Sequence, residues 1–274
     1  ANDLLLVPSK CAIHGRLAHT IVNPFLPVRS EGITKVVGCP VGPPAFRRAA
    51  VTGLLDKMTD SLPLLQGYSP QASFLLITKC INARANFICR VTELPDAAAL
   101  FEPFDRRIDT ALAALADCPE DHEMRTLRSL PQRLGGLGVY DYSGLQGVKG
   151  RNHSRHITYS FAQTHYHSSL FRQTRADTWS DLDLCDDGDT VLNHVLPEAV
   201  VSFNKRITAT RKLQLEALHT SKIESDPAAA AWLLSSCTPN SGRWLDWRGG
   251  GLHRFRMAGD LYVDALRRRL LCPP

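Results

Sequence analysis

The sequence of 274 residues has no long hydrophobic run. None of its apolar stretches approaches the roughly 18 residues that a membrane-spanning helix needs. The first apolar stretch, LLLV at 4–7, is short and has no basic flank, so we predict no signal peptide. These absences predict that a membrane is not a partner of the chain.

The eight cysteines include no Cys-x-x-Cys pair, and their spacing is irregular. Scattered cysteines in a chain of this length are typical of reduced, mostly buried thiols in an intracellular compartment. Two pairs of histidines are closely spaced, His153 with His156 and His165 with His167, but no cysteine or carboxylate lies at ligand spacing from them. The sequence therefore predicts no metal site.

Motifs of the common enzyme classes are also missing. The chain has no Gly-x-Ser-x-Gly elbow, no P-loop and no dinucleotide fingerprint. Asp186 and Asp187 superficially resemble the paired carboxylates that hold two magnesium ions in a polymerase. They lie in a stretch with six Asp and no basic residue, 176–189, and no apolar strand precedes them, which favours an exposed acidic loop. We therefore predict no catalytic residue, no cofactor and no small-molecule substrate.

What the chain does contain is helical periodicity. Short apolar pieces at 4–7, 21–22 and 36–37, separated by Pro, Gly and Asn, predict β segments. Apolar residues then recur at helical spacing over 46–58, 74–88 and 101–115, and Asp109 is expected on the polar side of the third helix. Pro70 and Pro95 stand where helices should begin or break. The pattern predicts a mainly α fold with a small β portion at the N-terminus.

The composition changes after residue 144. Residues 145–175 hold five Lys or Arg, four His and no acidic residue, and helical character returns over 190–236. We predict three regions: 1–43, 44–144, and a basic and helical region at 145–274 that contains the acidic loop. In 145–175 aromatic residues alternate with basic ones, a pattern typical of RNA binding, although the aromatics equally fit the buried stripe of a helix.

The sequence LPQRLGGLGV at 130–139 is the most informative segment. Three glycines after Leu-Pro allow a sharp turn and a close backbone approach. Alone, such a run is typical of a tight turn between packed elements. Three further segments precede it in order: PSKC at 8–11, KVVGCPVG at 35–42 and FICRVTELP at 87–95.

In this order, the four segments resemble the C-terminal part of the reverse transcriptases of non-LTR (LINE-like) retrotransposons. The resemblance implies that 1–43 is a palm remnant with a primer grip, and that 44–144 is a thumb-like helical bundle. A second helical region would follow, because KLQ at 212–214, GRWL at 242–245 and ALRRRL at 265–270 resemble segments beyond the thumb. The part of the palm that carries the catalytic carboxylates is absent from the sequence.

The resemblance also implies that basic side chains of the grip, thumb and C-terminal helices contact a nucleic-acid backbone. For any one of them, the alternative is a solvated helix face. The candidate nucleic-acid-binding residues are Lys35, Arg47, Arg48, Arg84, Arg90, Arg106, Arg107, Lys149, Arg151, Arg155, Arg172, Arg175, Arg267, Arg268 and Arg269. The glycines expected to serve structural turns are Gly38, Gly42, Gly135, Gly136 and Gly138.

Three functions fit these observations. The first is a non-catalytic, reverse-transcriptase-derived protein that binds structured RNA and neighbouring proteins in a ribonucleoprotein particle, such as a mitochondrial ribosome, with the nucleus as an alternative location. The second is the C-terminal half of an active RNA-directed DNA polymerase. The third is a helical protein-interaction module.

Overall fold

The fold is taken from a computed structural model. It describes residues 13–14, 28–29, 34–36, 38–92, 94, 96–151, 154, 197–246 and 257–272. The spatial contacts between Cα atoms divide the chain into two compact units, Ala1–Leu54 and Leu55–Pro274. The division falls within the first long helix, whereas the sequence placed a domain boundary just before that helix.

The first unit contains the short strands. Strand β1 (Ile13–His14) pairs in parallel with β2 (Val28–Arg29), and β3 (Thr34–Val36) pairs antiparallel with β4 (Cys39–Val41). The β3–β4 turn is possible because Gly38 has a φ of 82°, a conformation that glycine adopts without steric cost. Helix α1 (Pro44–Thr59) follows this hairpin. The predicted strand at 36–37 overlaps β3, while the predicted segments at 4–7 and 21–22 lie outside the described residues.

The second unit begins with a nearly continuous helical run. After the 3₁₀ segment Leu62–Gly67 come α2 (Pro70–Leu75), a π-helical segment (Leu76–Asn82) and α3 (Ala83–Val91). Helix α2 starts as the sequence predicted, with Pro70 in its first turn and Ser69 capping its N-terminus. The predicted helix at 74–88 is therefore confirmed, but its π-helical part was not anticipated.

Helices α4 (Ala97–Ala116) and α5 (His122–Ser129) continue the chain, and residues 145–151 are also helical. Beyond the undescribed stretch lie α6 (Pro197–Ser225), α7 (Pro227–Ser236), the 3₁₀ segment Arg243–Asp246 and α8 (Gly259–Arg269). The described residues are thus mainly helical, with short strands only near the N-terminus, as the periodicity predicted.

Helix α4 lies at the centre of the core. Its residues Phe101, Phe104, Ile108 and Leu112, spaced three or four apart, are almost completely buried. The helix packs against α2, the π-helical segment, α5 and α8. Asp109 lies on this buried side, so its predicted place on the polar face was wrong. Its burial is possible because Arg128 of α5 pairs with it.

Candidate nucleic-acid interface

The candidate site is built around the glycine turn, residues 130–138, which follows α5. A 3₁₀ segment (Gln132–Leu134) leads into Gly135, whose φ of 80° is left-handed. The chain then folds back on α5, where Leu137 N–H donates to Leu127 O over 3.0 Å. A Cβ on Gly136 would lie 2.1 Å from Leu130 O, so this close return requires glycine.

The glycine turn forms one wall of a surface pocket of about 360 Å³, here called the arginine pocket. Its lining combines Gln132 and Arg133 of the turn with residues 237–243, which follow α7. Arg133 and Arg243 are exposed, and among the described residues neither forms an ion pair. The lining contains no acidic residue.

Arg269 of α8 adds a third positive charge behind this lining. Its side chain is buried and donates to Gln132 O over 2.7 Å and to Gly136 O over 3.0 Å. A Cβ on Gly242 would lie 3.1 Å from Arg269 Nη2, so the guanidinium directly backs the pocket wall. Burial lowers the pKa of Arg269, and burial also raises the pKa of the Cys237 thiol that lines the pocket.

Arg211 of α6 carries a fourth positive charge close to Arg133. It donates to Gln146 Oε1 over 2.9 Å. Burial lowers the pKa of Arg211, the charge of Arg133 lowers it further, and the nearby Asp141 carboxylate opposes both effects. Arginines whose charges are only partly compensated create a positive potential at the surface.

Three of the predicted nucleic-acid ligands are engaged with carboxylates. Arg106 pairs with Glu102 one helical turn away, Arg107 lies 2.6 Å from Asp56, and Arg267 lies 3.4 Å from Asp117. These partners reduce the positive charge that the three arginines present to an anion.

Arg151 and Arg269 are placed inside the protein. Arg151 donates to Tyr142 O over 3.2 Å and to Cys89 Sγ over 3.4 Å. Because their donors are directed at internal acceptors, we assign both arginines to the support of the fold. Arg268 stays at the surface, with its guanidinium carbon 5.0 Å from the centre of the Trp232 ring.

The other predicted ligands are more dispersed. Arg84 is exposed and Arg90 half-buried on α3, Lys149 is half-buried, and Arg47 and Arg48 are half-buried on α1. Lys35 lies on β3, and Gly42 has a φ of 155° directly after β4. Gly138 is left-handed at 70°. Arg155, Arg172 and Arg175 lie outside the described residues.

The sequence reasoning did not select Arg133, Arg211 or Arg243 as ligands. Both Arg133, in LPQRLGGLGV at 130–139, and Arg243, in GRWL at 242–245, belong to motifs that the sequence analysis identified. No local pattern links the three arginines, because they lie on the glycine turn, on α6 and after α7, and only tertiary packing brings these parts together.

A second polar cluster holds the segment that follows the glycine turn. Asn82 Nδ2 donates to Tyr140 O over 3.0 Å, and Asp105 accepts from Ser143 N–H over 2.7 Å. Tyr142 O–H donates to Asn82 O over 2.7 Å, and burial raises the pKa of this phenol. Because these groups bond to backbone and neighbouring polar atoms, we assign the cluster to the support of the fold.

The described residues contain no group of three His, Cys, Asp or Glu side chains arranged to hold a metal ion. Within the same residues, every helix is too short or too polar to cross a bilayer. Only Cys89 of the six described cysteines is buried, so the expectation of mostly buried thiols was wrong for this part of the chain.

Comparison with models of protein families, with curated proteins and with solved structures finds no match to this chain.

Proposed function

We propose that this chain is a non-catalytic RNA-binding scaffold protein, derived from a reverse transcriptase, that belongs to a ribonucleoprotein particle. The single observation that carries the proposal is the arginine pocket, with two exposed arginines, a third behind the wall and no carboxylate in the lining. The motif order that resembles a primer grip and a thumb supports the same proposal.

The chemistry of the pocket fits a phosphate of an RNA backbone. Guanidinium groups bind phosphate oxygens with two parallel hydrogen bonds, and such contacts are stronger where no carboxylate competes. Gln132, Thr238, Asn240 and Ser241 add polar side chains to the lining for sugar hydroxyls or phosphate. A pocket of this kind recognises the backbone and leaves the base sequence unread.

The proposed test is RNA binding by the double variant Arg133→Ala with Arg243→Ala. Loss of two phosphate contacts should weaken binding roughly tenfold near 0.1 M salt, and should flatten the plot of log K against log salt by about 2. The matched control is Arg106→Ala, an exposed arginine that Glu102 already partly neutralises. The control should bind RNA like the parent.

Two outcomes would count against the pocket. If the double variant binds like the parent at every salt concentration, the arginine pocket is not the interface. If Arg84→Ala with Arg90→Ala weakens binding while the pocket variant does not, the interface lies on α3, on the thumb-like face.

A second candidate, a helical protein-interaction module, is favoured by exposed apolar side chains on α6. Leu213 is 63% exposed and Ile223 52% exposed. Single exposed apolar residues are common, but two on one helix fit a scaffold that also contacts neighbouring proteins. Leu213→Ser with Ile223→Ser should then reduce assembly with those proteins without changing the affinity for RNA.

A further inference from the structure

Two cysteines that are remote in sequence meet at the ends of two packed helices. Helix α4 packs against α8, and Cys118 follows α4 while Cys272 follows α8. Each is held by its own helix end: Cys118 N–H donates to Ala113 O over 3.0 Å, and Cys272 N–H donates to Arg267 O over 2.9 Å. The ion pair of Arg267 with Asp117, at 3.4 Å, joins the two ends directly beside the cysteines.

Both thiols lie at this junction of the two helix ends. Each thiol shifts the pKa of the other, both are half-buried, and neither is part of a disulfide. Cys272 Sγ also lies 3.8 Å from Leu270 O, a weaker contact. A disulfide needs an S–S bond of about 2.05 Å between cysteines whose Cα atoms lie within about 7 Å of one another.

We propose that Cys118 and Cys272 are a modification site, at which a hydroperoxide converts the two thiols into an intramolecular disulfide that joins α4 to α8. This inference is independent of RNA binding, since neither cysteine lines the arginine pocket.

The chemistry assigns a different part to each cysteine. The neighbouring Cys272 thiol, together with the charge of Arg267, lowers the pKa of Cys118, while the Cys118 thiol and burial raise the pKa of Cys272. The thiolate is the nucleophilic form of cysteine, so Cys118 is the sulfur that reacts first. Cys272 then serves as the resolving thiol.

The step balances with one hydroperoxide. The Cys118 thiolate attacks a peroxide oxygen, the O–O bond breaks, and a sulfenic acid forms as water or an alcohol leaves. The Cys272 sulfur next attacks the Cys118 sulfur, so that the S–S bond forms and the S–O bond breaks. A second water leaves with the Cys272 proton, and the two electrons lost by the thiols have reduced the peroxide.

Cys89 and Cys80 are in different environments. Cys89 is buried, and its thiol lies against Gly147 O and Arg151, so an oxidant has little access to it. Burial raises the pKa of Cys89 to about 11 and makes it a poor nucleophile. Cys80 is exposed on the π-helical segment.

The test treats the full chain with a small excess of hydrogen peroxide, blocks the remaining thiols by alkylation and digests the product with trypsin. The expected product is a disulfide between the peptides 108–125 and 270–274, which disappears on reduction. Because a cross-link over a long loop restricts the unfolded chain, oxidation should raise the Tm by about 5 °C.

Variants separate the parts of the two cysteines. In Cys272→Ser the sulfenic acid on Cys118 should persist and react with dimedone, whereas in Cys118→Ser no dimedone adduct should form at Cys272. Cys80→Ser is the matched control and should form the cross-link like the parent. The proposal is overturned if no peptide pair joins 118 to 272, or if Cys118 proceeds to a sulfinic acid without the cross-link. Dimedone labelling confined to Cys272 would overturn the assigned order of attack.

Discussion

At the scale of single residues, the pair Asp109–Arg128 stands out because both charges are inside the protein. Each side chain is only 4% exposed, and Arg125 lies 3.7 Å from the other carboxylate oxygen of Asp109. Burial raises the pKa of Asp109 to about 6, while the charge of Arg128 opposes that rise. Burial thus outweighs the ion pair, as is common for charge pairs in protein interiors.

This pKa predicts a pH dependence with a defined sign. Because the folded state binds the Asp109 proton more tightly than the unfolded chain, the contribution of Asp109 to stability falls as pH rises from about 4 to about 6. Relative to Asp109→Asn, the parent should therefore gain roughly 2–3 kcal/mol on acidification from pH 7 to pH 4. Urea unfolding at each pH measures the difference.

The control for this prediction is Asp60→Asn, at an exposed position. Its stability should follow that of the parent at every pH. A difference between the parent and Asp109→Asn that stays flat, or that favours the parent more as pH rises, would show that the carboxylate is not held in an unfavourable environment.

At the scale of elements, the glycine turn connects the core to the arginine pocket. It continues the backbone of α5, returns along that helix and presents Arg133 on its outer side. Leu130 and Leu137 on the same turn are buried, so the turn is also part of the packed interior. Any change that opens it should disturb stability before it disturbs a ligand.

Gly136→Val should accordingly destabilise the protein by about 3 kcal/mol. The added Cβ would lie 2.1 Å from Leu130 O and 2.5 Å from Leu127 O, and backbone atoms there cannot move aside cheaply. A thermal melt measures the loss, and RNA affinity should fall only in proportion to the unfolded fraction. Gly67→Val is the control, since its Cβ would meet nothing within 4 Å. An unchanged Tm with abolished RNA binding would instead make the turn a contact surface.

At the scale of the whole molecule, the two units contain different secondary structure and different candidate sites. The first contains the short paired strands, and the second contains the helical core with the arginine pocket and the cysteine pair. The resemblance to a primer grip belongs to the first unit, and the resemblance to the end of a thumb belongs to the second. The proposed scaffold function uses the second unit, which contains the arginine pocket.

The chain should therefore extend no primer on any template in the presence of magnesium. Polymerases position the metal ions and the triphosphate with paired carboxylates, and the Asp186–Asp187 pair lies in an acidic stretch of the sequence that no apolar strand pattern precedes. A primer-extension assay with the purified chain measures this. Template-dependent extension that Asp186→Asn with Asp187→Asn abolishes would make the chain part of a polymerase.

The sequence by itself determined the helical elements. The spacing of Phe101, Phe104, Ile108 and Leu112 marks the buried face of α4, because a period of about 3.6 residues is a local property of the chain. The sequence also predicted a sharp turn at the glycines of residues 130–138, and Gly135 indeed has a left-handed φ. The π-helical segment was not predicted, because its buried residues Ile77 and Ile81 are four apart, a spacing that an α-helix also gives.

Only the tertiary structure decided which charges and thiols are exposed, paired or adjacent. Arg151 and Arg269 look like surface cations in the sequence, yet both donate to internal carbonyls. The nearness of Arg133 to Arg243, and of Cys118 to Cys272, depends on how α7 and α8 pack beside the glycine turn and α4. Such contacts join residues far apart in the chain, and no local periodicity encodes them, so they follow only from the packing of the core.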